Sequence, residues 1–139
     1  MSHCPTCQCV HEDVPVVDNS LKALSAFRSM VPSDEMREHF CVLYLGARHG
    51  IRDKRVISIG TLTASLVHPR EIYARAIELR AAGIIIGHNH PSGDSDPSPE
   101  DKTATRRVQQ AGDILGIKLL DHIIFTPSSY FSFRERGIL

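Results

Sequence analysis

Two histidines, His88 and His90, stand one residue apart at the end of an apolar run, and Asp101 follows eleven positions after the second. Side chains leaving a strand alternate with period two, so these imidazoles share a side. Zn²⁺ accepts imidazole nitrogen and carboxylate oxygen, and three protein ligands with a fourth position open describe a catalytic site rather than a structural one. Asp101 falls in the first turn of an expected helix, and the proline- and glycine-rich loop His88 to Pro97 is expected to bring it back toward the histidines. Zinc lowers the pKa of a bound water to about 7, yet a base must still carry its proton. Glu38, an acid leading into an apolar run, is the candidate base. Ser98 is a candidate donor to a developing oxyanion.

Each of these residues has a plainer reading. A lone pair of loop histidines is ordinarily bonded to backbone. Ser98-Pro99-Glu100-Asp101 is also a helix start of the capping-box kind. Glu35 and Glu71 compete with Glu38 for the role of base, His68 and Glu71 suit a helix start, and Asp121-His122 suits support behind a site. Spacing alone does not choose among these.

The elements that must position these groups are legible in outline. Asp18-Asn19-Ser20 offers a cap for a helix through Met30, stopped by Pro32. Glu38 to Leu45 is apolar and rich in strand formers, Gly46 to Asp53 reads as a turn, and Lys54 to Leu62 alternates like a second strand. Pro69 opens a helix that Gly83 is expected to close. Ile84-Ile85-Ile86 reads as a strand buried on both faces. A helix from Ser98 to near Gly116 follows, then strands at Ile117 to Thr126 and Tyr130 to Arg134. Strands and helices alternate, so the expected class is α/β, a mixed sheet with packed helices.

Composition narrows the function classes. Sixteen basic residues balance sixteen acidic ones, so no overall field draws the chain toward phosphate backbones or anionic lipid. No run approaches the roughly 20 apolar residues of a membrane span. The N-terminus lacks a basic stretch followed by an apolar one, so a cytoplasmic address is the expectation. There, Cys4, Cys7, Cys9 and Cys41 are expected as thiols or metal ligands. Residues 1 to 17 read as a Cys/His-rich tail, in which Cys4, Cys7, Cys9 and His11 form either a small metal knuckle or no site at all, and residues 18 to 139 read as one domain. Cys41, inside an apolar strand, reads as a small core residue. The contiguous His88-Asn89-His90 is no sign of a His-Asn-His nuclease, and the cysteines of a zinc deaminase are not where that chemistry needs them.

Several blocks together carry a resemblance. His88-Asn-His-Pro-Ser-Gly93, Ser98-Pro-Glu-Asp101, Ser58 to Leu62, Val67 to Glu71 and Leu120 to Ile124 resemble the RadC-like branch of the JAMM (MPN+) metalloprotease family, over roughly residues 18 to 137. The resemblance implies a fold similar to that of cytidine deaminases (the JAB/MPN fold). It implies Zn²⁺ held by His88, His90 and Asp101, Glu38 as general acid and base, and Ser98 near the oxyanion. It also implies a peptide or isopeptide bond in a peptide or protein conjugate as substrate. Longer members carry a helix-hairpin-helix segment associated with DNA ahead of this domain. The Cys/His tail has no likeness to it, so a DNA association, as a binding module or a metal-dependent nuclease, is the lesser expectation.

Overall fold

The alternation of apolar side chains along Glu38–Leu45 becomes the middle of a layered structure in the computed structural model, which describes residues 2–3, 10–11, 14–60 and 68–139. In chain order the elements are β1 (Ser2–His3), β2 (Val10–His11), α1 (Ser20–Met30), β3 (Glu38–Leu45), β4 (Ile51–Gly60), α2 (Pro69–Glu78), β5 (Gly83–Asn89), α3 (Pro99–Leu115), β6 (Lys118–Phe125) and β7 (Tyr130–Ser132). β1 and β2 pair with each other antiparallel. The main sheet has the order β4-β3-β5-β6-β7, in which β5–β6 is the parallel pair and the others run antiparallel. It is the mixed α/β sheet that the sequence predicts, and it agrees with the JAB/MPN fold.

Period-two alternation sorts the core into two layers. Phe40, Val42, Tyr44, Ile84 and Ile86 meet Ile72, Tyr73 and Ala76 of α2 and Val108 of α3 on one face. Cys41, Leu43, Leu45 and Ile85 meet Ala23, Leu24 and Phe27 of α1 on the other. Full burial of each such aliphatic or aromatic side chain contributes about 1.5–3 kcal/mol. Burial also pushes the Cys41 thiol up to about 12, which makes it the inert core residue expected.

Helix ends follow their caps. Asn19 accepts from the Lys22 amide at 2.9 Å and opens α1, and His68 caps α2 ahead of Pro69. Ser98 caps α3, whose C-terminus closes on Gly116 at a φ of 73°. Arg28 near the end of α1 donates to the Thr126 and Ser129 carbonyls at 2.9 and 3.2 Å, tying that helix to the β6–β7 turn.

Three boundaries differ from the sequence reading by more than two residues. Gly83 does not close α2: the helix ends at Glu78, Arg80 takes a positive φ of 51°, and Arg52 donates to the Leu79 and Arg80 carbonyls at 2.8 and 3.0 Å. Gly83 instead begins β5, where an added Cβ would lie 2.9 Å from Leu120 Cδ1. β4 starts at Ile51, inside the expected turn, while the expected strand end at residues 61–62 lies outside the described residues. β5 runs on through His88 and Asn89, which are strand rather than loop. The cysteines of the expected knuckle, Cys4, Cys7 and Cys9, also lie outside the described residues.

Candidate metal centre

The site forms where β3 begins, β5 ends and α3 begins. His88 has the parity of Ile84 and Ile86, so it faces the α3 layer, where Phe40 stacks on it with ring centroids 6.1 Å apart. β6 reaches the same place through a bulge. Ile84 pairs with Leu119 but Ile85 pairs with Asp121, so Leu120 is the extra residue. That shift turns His122 onto the face of Ile86 and His88, which is what a bulge does to the side chains beyond it. Gly83 leaves the room that Leu120 occupies.

His88, His90 and Asp101 converge as the spacing predicts. The two Nε2 atoms are 3.0 Å apart, Asp101 Oδ1 lies 3.2 Å from His88 Nε2, and Asp101 Oδ2 lies 3.1 Å from His90 Nε2. His88 and Asp101 are each only 2% exposed. Asp101 serves the helix as well: its Oδ2 accepts from the Ser98 amide at 2.9 Å, and its own amide donates to Ser98 Oγ at 3.1 Å. This reciprocal box holds the carboxylate against the histidines. The capping box and the approach of Asp101 to the histidines therefore coexist in one geometry.

Electrostatics agree with the geometry. Burial alone would raise the Asp101 pKa, but the His88 and His90 imidazoles beside it outweigh burial and hold the carboxyl well below the usual range. Burial works against a charged His90, while Asp101, the Asp94 carbonyl and the Glu38 charge favour one, and the net shift is upward. Buried His122 is pushed well below the ordinary histidine range, first by desolvation and then by its neighbour His88.

The donor set suits a cation. His90 Nδ1 lies 2.8 Å from the Asp94 carbonyl, which can only accept, so the ring proton belongs on Nδ1. The His90 Nε2 lone pair then faces Asp101 Oδ2, acceptor against acceptor, unless a cation or a second proton lies between. Tetrahedral ligands about 2.05 Å from zinc are ~3.3 Å apart, close to the separations of 3.0, 3.1 and 3.2 Å among these three groups.

Glu38 stands at the rim. One atom each of Glu38, His88 and His90 falls within 4.8 Å of the others, and Glu38 Oε1 is 3.7 Å from His90 Nε2. Asp101 is nearer to both imidazoles and deeper than Glu38, which places Glu38 outside the inner trio. Glu35 is instead held by Arg37, at 3.0 Å, and Glu71 sits exposed in the first turn of α2.

Sequence reasoning passed over two residues. Asn89 Oδ1 accepts from the His39 amide at 2.6 Å and its Nδ2 donates to the Arg37 carbonyl at 2.9 Å, which pins the end of β5 beside Glu38. Thr105, one turn into α3, touches both Asp101 and His122. Asn89, between two histidines in a stretch that reads as loop, gave no signal of this role, and neither did Thr105 as a threonine within a helix.

Comparison with known proteins agrees with this arrangement. The family model described as RadC-like JAB domain matches residues 17–138. A UPF0758 protein of Symbiobacterium thermophilum is 52% identical over 102 residues, 73% of this chain and 44% of the relative. One from Shouchella clausii is 49% identical over 109 residues, covering 76% and 47%. One from Thermotoga maritima is 42% identical over 123 residues, covering 88% and 54%. The chain thus spans about half the length of the curated relatives it matches. With a His88, His90 and Asp101 triad of JAMM type on a mixed α/β sheet, the chain belongs to the RadC-like JAB domain family.

Proposed function

We propose that this domain is a zinc-dependent hydrolase of the JAMM type that cleaves an amide bond in a peptide or protein conjugate. The observation that carries the proposal is the convergence of His88, His90 and Asp101 within 3.2 Å, with Glu38 at the rim. His88, His90 and Asp101 would hold the ion, which when bound supplies an acidified water and a polarised carbonyl. Glu38 takes the proton of the attacking water and hands it to the leaving amine. The Ser98 hydroxyl, which accepts from the Asp101 amide, keeps its own proton to donate to the oxyanion. Asn89 keeps Glu38 and the histidines in one frame by bridging β5 to the start of β3. A cleft of about 250 Å³ beside His90, walled by Val31, Pro32, Met36, Pro91 and Phe125, gives a substrate side chain a place next to the chemistry. Among the described residues no helix is long and apolar enough to cross a membrane, and the even charge balance lends no support to a nucleic-acid substrate.

Glu38→Gln tests the mechanism. The variant is expected to hydrolyse peptide or isopeptide substrates roughly 10²–10⁴-fold more slowly while its zinc content, read by elemental analysis, stays at the wild-type level. Full activity in the variant overturns the role of Glu38. Cleavage of nucleic acid alone by the wild type overturns the substrate class.

A further inference from the structure

We propose that Thr105 and His122 are positioning residues that fix the tautomer of His88, so that its Nε2 lone pair is turned toward Asp101. The inference deepens the metal-site reading above and rests on it for its consequence, though not for its geometry. Thr105 Oγ1 lies 2.7 Å from the backbone oxygen of Asp101 and 2.6 Å from His122 Nδ1. His122 Nε2 lies 2.8 Å from His88 Nδ1, and His88 Nε2 lies 3.2 Å from Asp101 Oδ1. The contacts form a ring that begins on the backbone of Asp101 and returns to its side chain.

Both ends of the ring, the Asp101 carbonyl and the Asp101 carboxylate, only accept, and a cation can complete the carboxylate end alone, which gives the ring its direction. The Asp101 carbonyl can only accept, so the Thr105 hydroxyl donates to it. Thr105 Oγ1 must then accept from His122 Nδ1–H. That leaves His122 Nε2 without a proton, and it accepts from His88 Nδ1–H. With one proton on each imidazole, the first three contacts each hold a single proton, and His88 Nε2 is bare opposite Asp101 Oδ1, a contact that a cation or a second proton completes.

Reversal fails. If Thr105 donated to His122, its oxygen would face the Asp101 carbonyl at 2.7 Å with no proton between them. Thr105 is 3% exposed and His122 fully buried, so solvent does not repair the lost contact. A reversed ring would also place a proton on His88 Nε2, where the lone pair is needed. The plane of His122 is held separately: Phe133 stacks on it at 4.6 Å and Phe40 lies tilted at 6.3 Å. The aromatic rings set where His122 stands, and Thr105 sets which way it donates.

The test is made on full-length metal-free protein with ¹⁵N-labelled histidine, comparing wild type, Thr105→Val and Thr105→Ser. Nitrogen chemical shifts distinguish Nδ1–H from Nε2–H. Wild type and Thr105→Ser are expected to show His88 carrying a proton on Nδ1. Thr105→Val, nearly the same shape without the hydroxyl, is expected to lose that preference and to bind zinc roughly 10–100-fold more weakly. Unchanged His88 shifts and zinc affinity in Thr105→Val overturn the proposal. Equal damage from Thr105→Ser overturns it too, since packing rather than the hydroxyl would then be responsible. Failure of the wild type to take up zinc would strike the metal reading, and the nitrogen shifts would still decide the direction of the ring.

Discussion

Strand β5 is buried from end to end, yet its two halves are held by different physics. Ile84, Ile85 and Ile86 lie between the two core layers and touch little but hydrocarbon. Two residues on, His88 is just as deep, but each of its nitrogens faces a polar partner, and Asn89 is bonded through both side-chain atoms. No buried side-chain nitrogen or oxygen among the described residues lacks a partner. Burial stabilises the first half directly. In the second half it only raises the cost of leaving any partner out.

That contrast can be broken by measurement. Ile86→Ala is expected to cost about 2–5 kcal/mol in urea unfolding, by the same amount whether zinc or a chelator is present; a zinc-dependent loss would erase the distinction. Asp101→Ala is expected to remove the stabilisation that zinc confers on the wild type, about 2.7 kcal/mol at a zinc concentration one hundred times Kd. Thermal shifts with and without zinc read this directly, and a retained shift would move the ligand elsewhere. Ser98→Ala is the mildest, about 0.5–2 kcal/mol for the lost cap, with Ser98→Thr restoring most of it. If Ser98→Ala proves neutral by urea unfolding, the box does not hold Asp101 as described.

What could be read in the sequence was whatever local chemistry decides. The bounds of β3 and the cap of α3 follow from runs and dipeptides within a few residues, while period two plus a helix start offers the His88, His90 and Asp101 trio and the resemblance of several blocks singles it out. What could not be read depends on distant partners. Gly83 looks like a helix stop until Leu120, arriving from β6, claims the space above it. His88 and Asn89 look like loop because polar residues seldom continue a buried strand, and only His122 and the His39 amide make that tolerable. The bulge at Leu120 leaves no local mark, although it alone puts His122 on the right face.

The lone parallel pair, β5 with β6, has a consequence in time as well as in space. Parallel neighbours need a crossover, and here α3 supplies it. A growing chain that has reached Leu115 already holds Glu38, His88, His90 and Asp101, but not the strand that flanks β5 or the ring that aims His88. On the proposed reading of that ring, tight metal capture waits until β6 has been made and has docked beside β5.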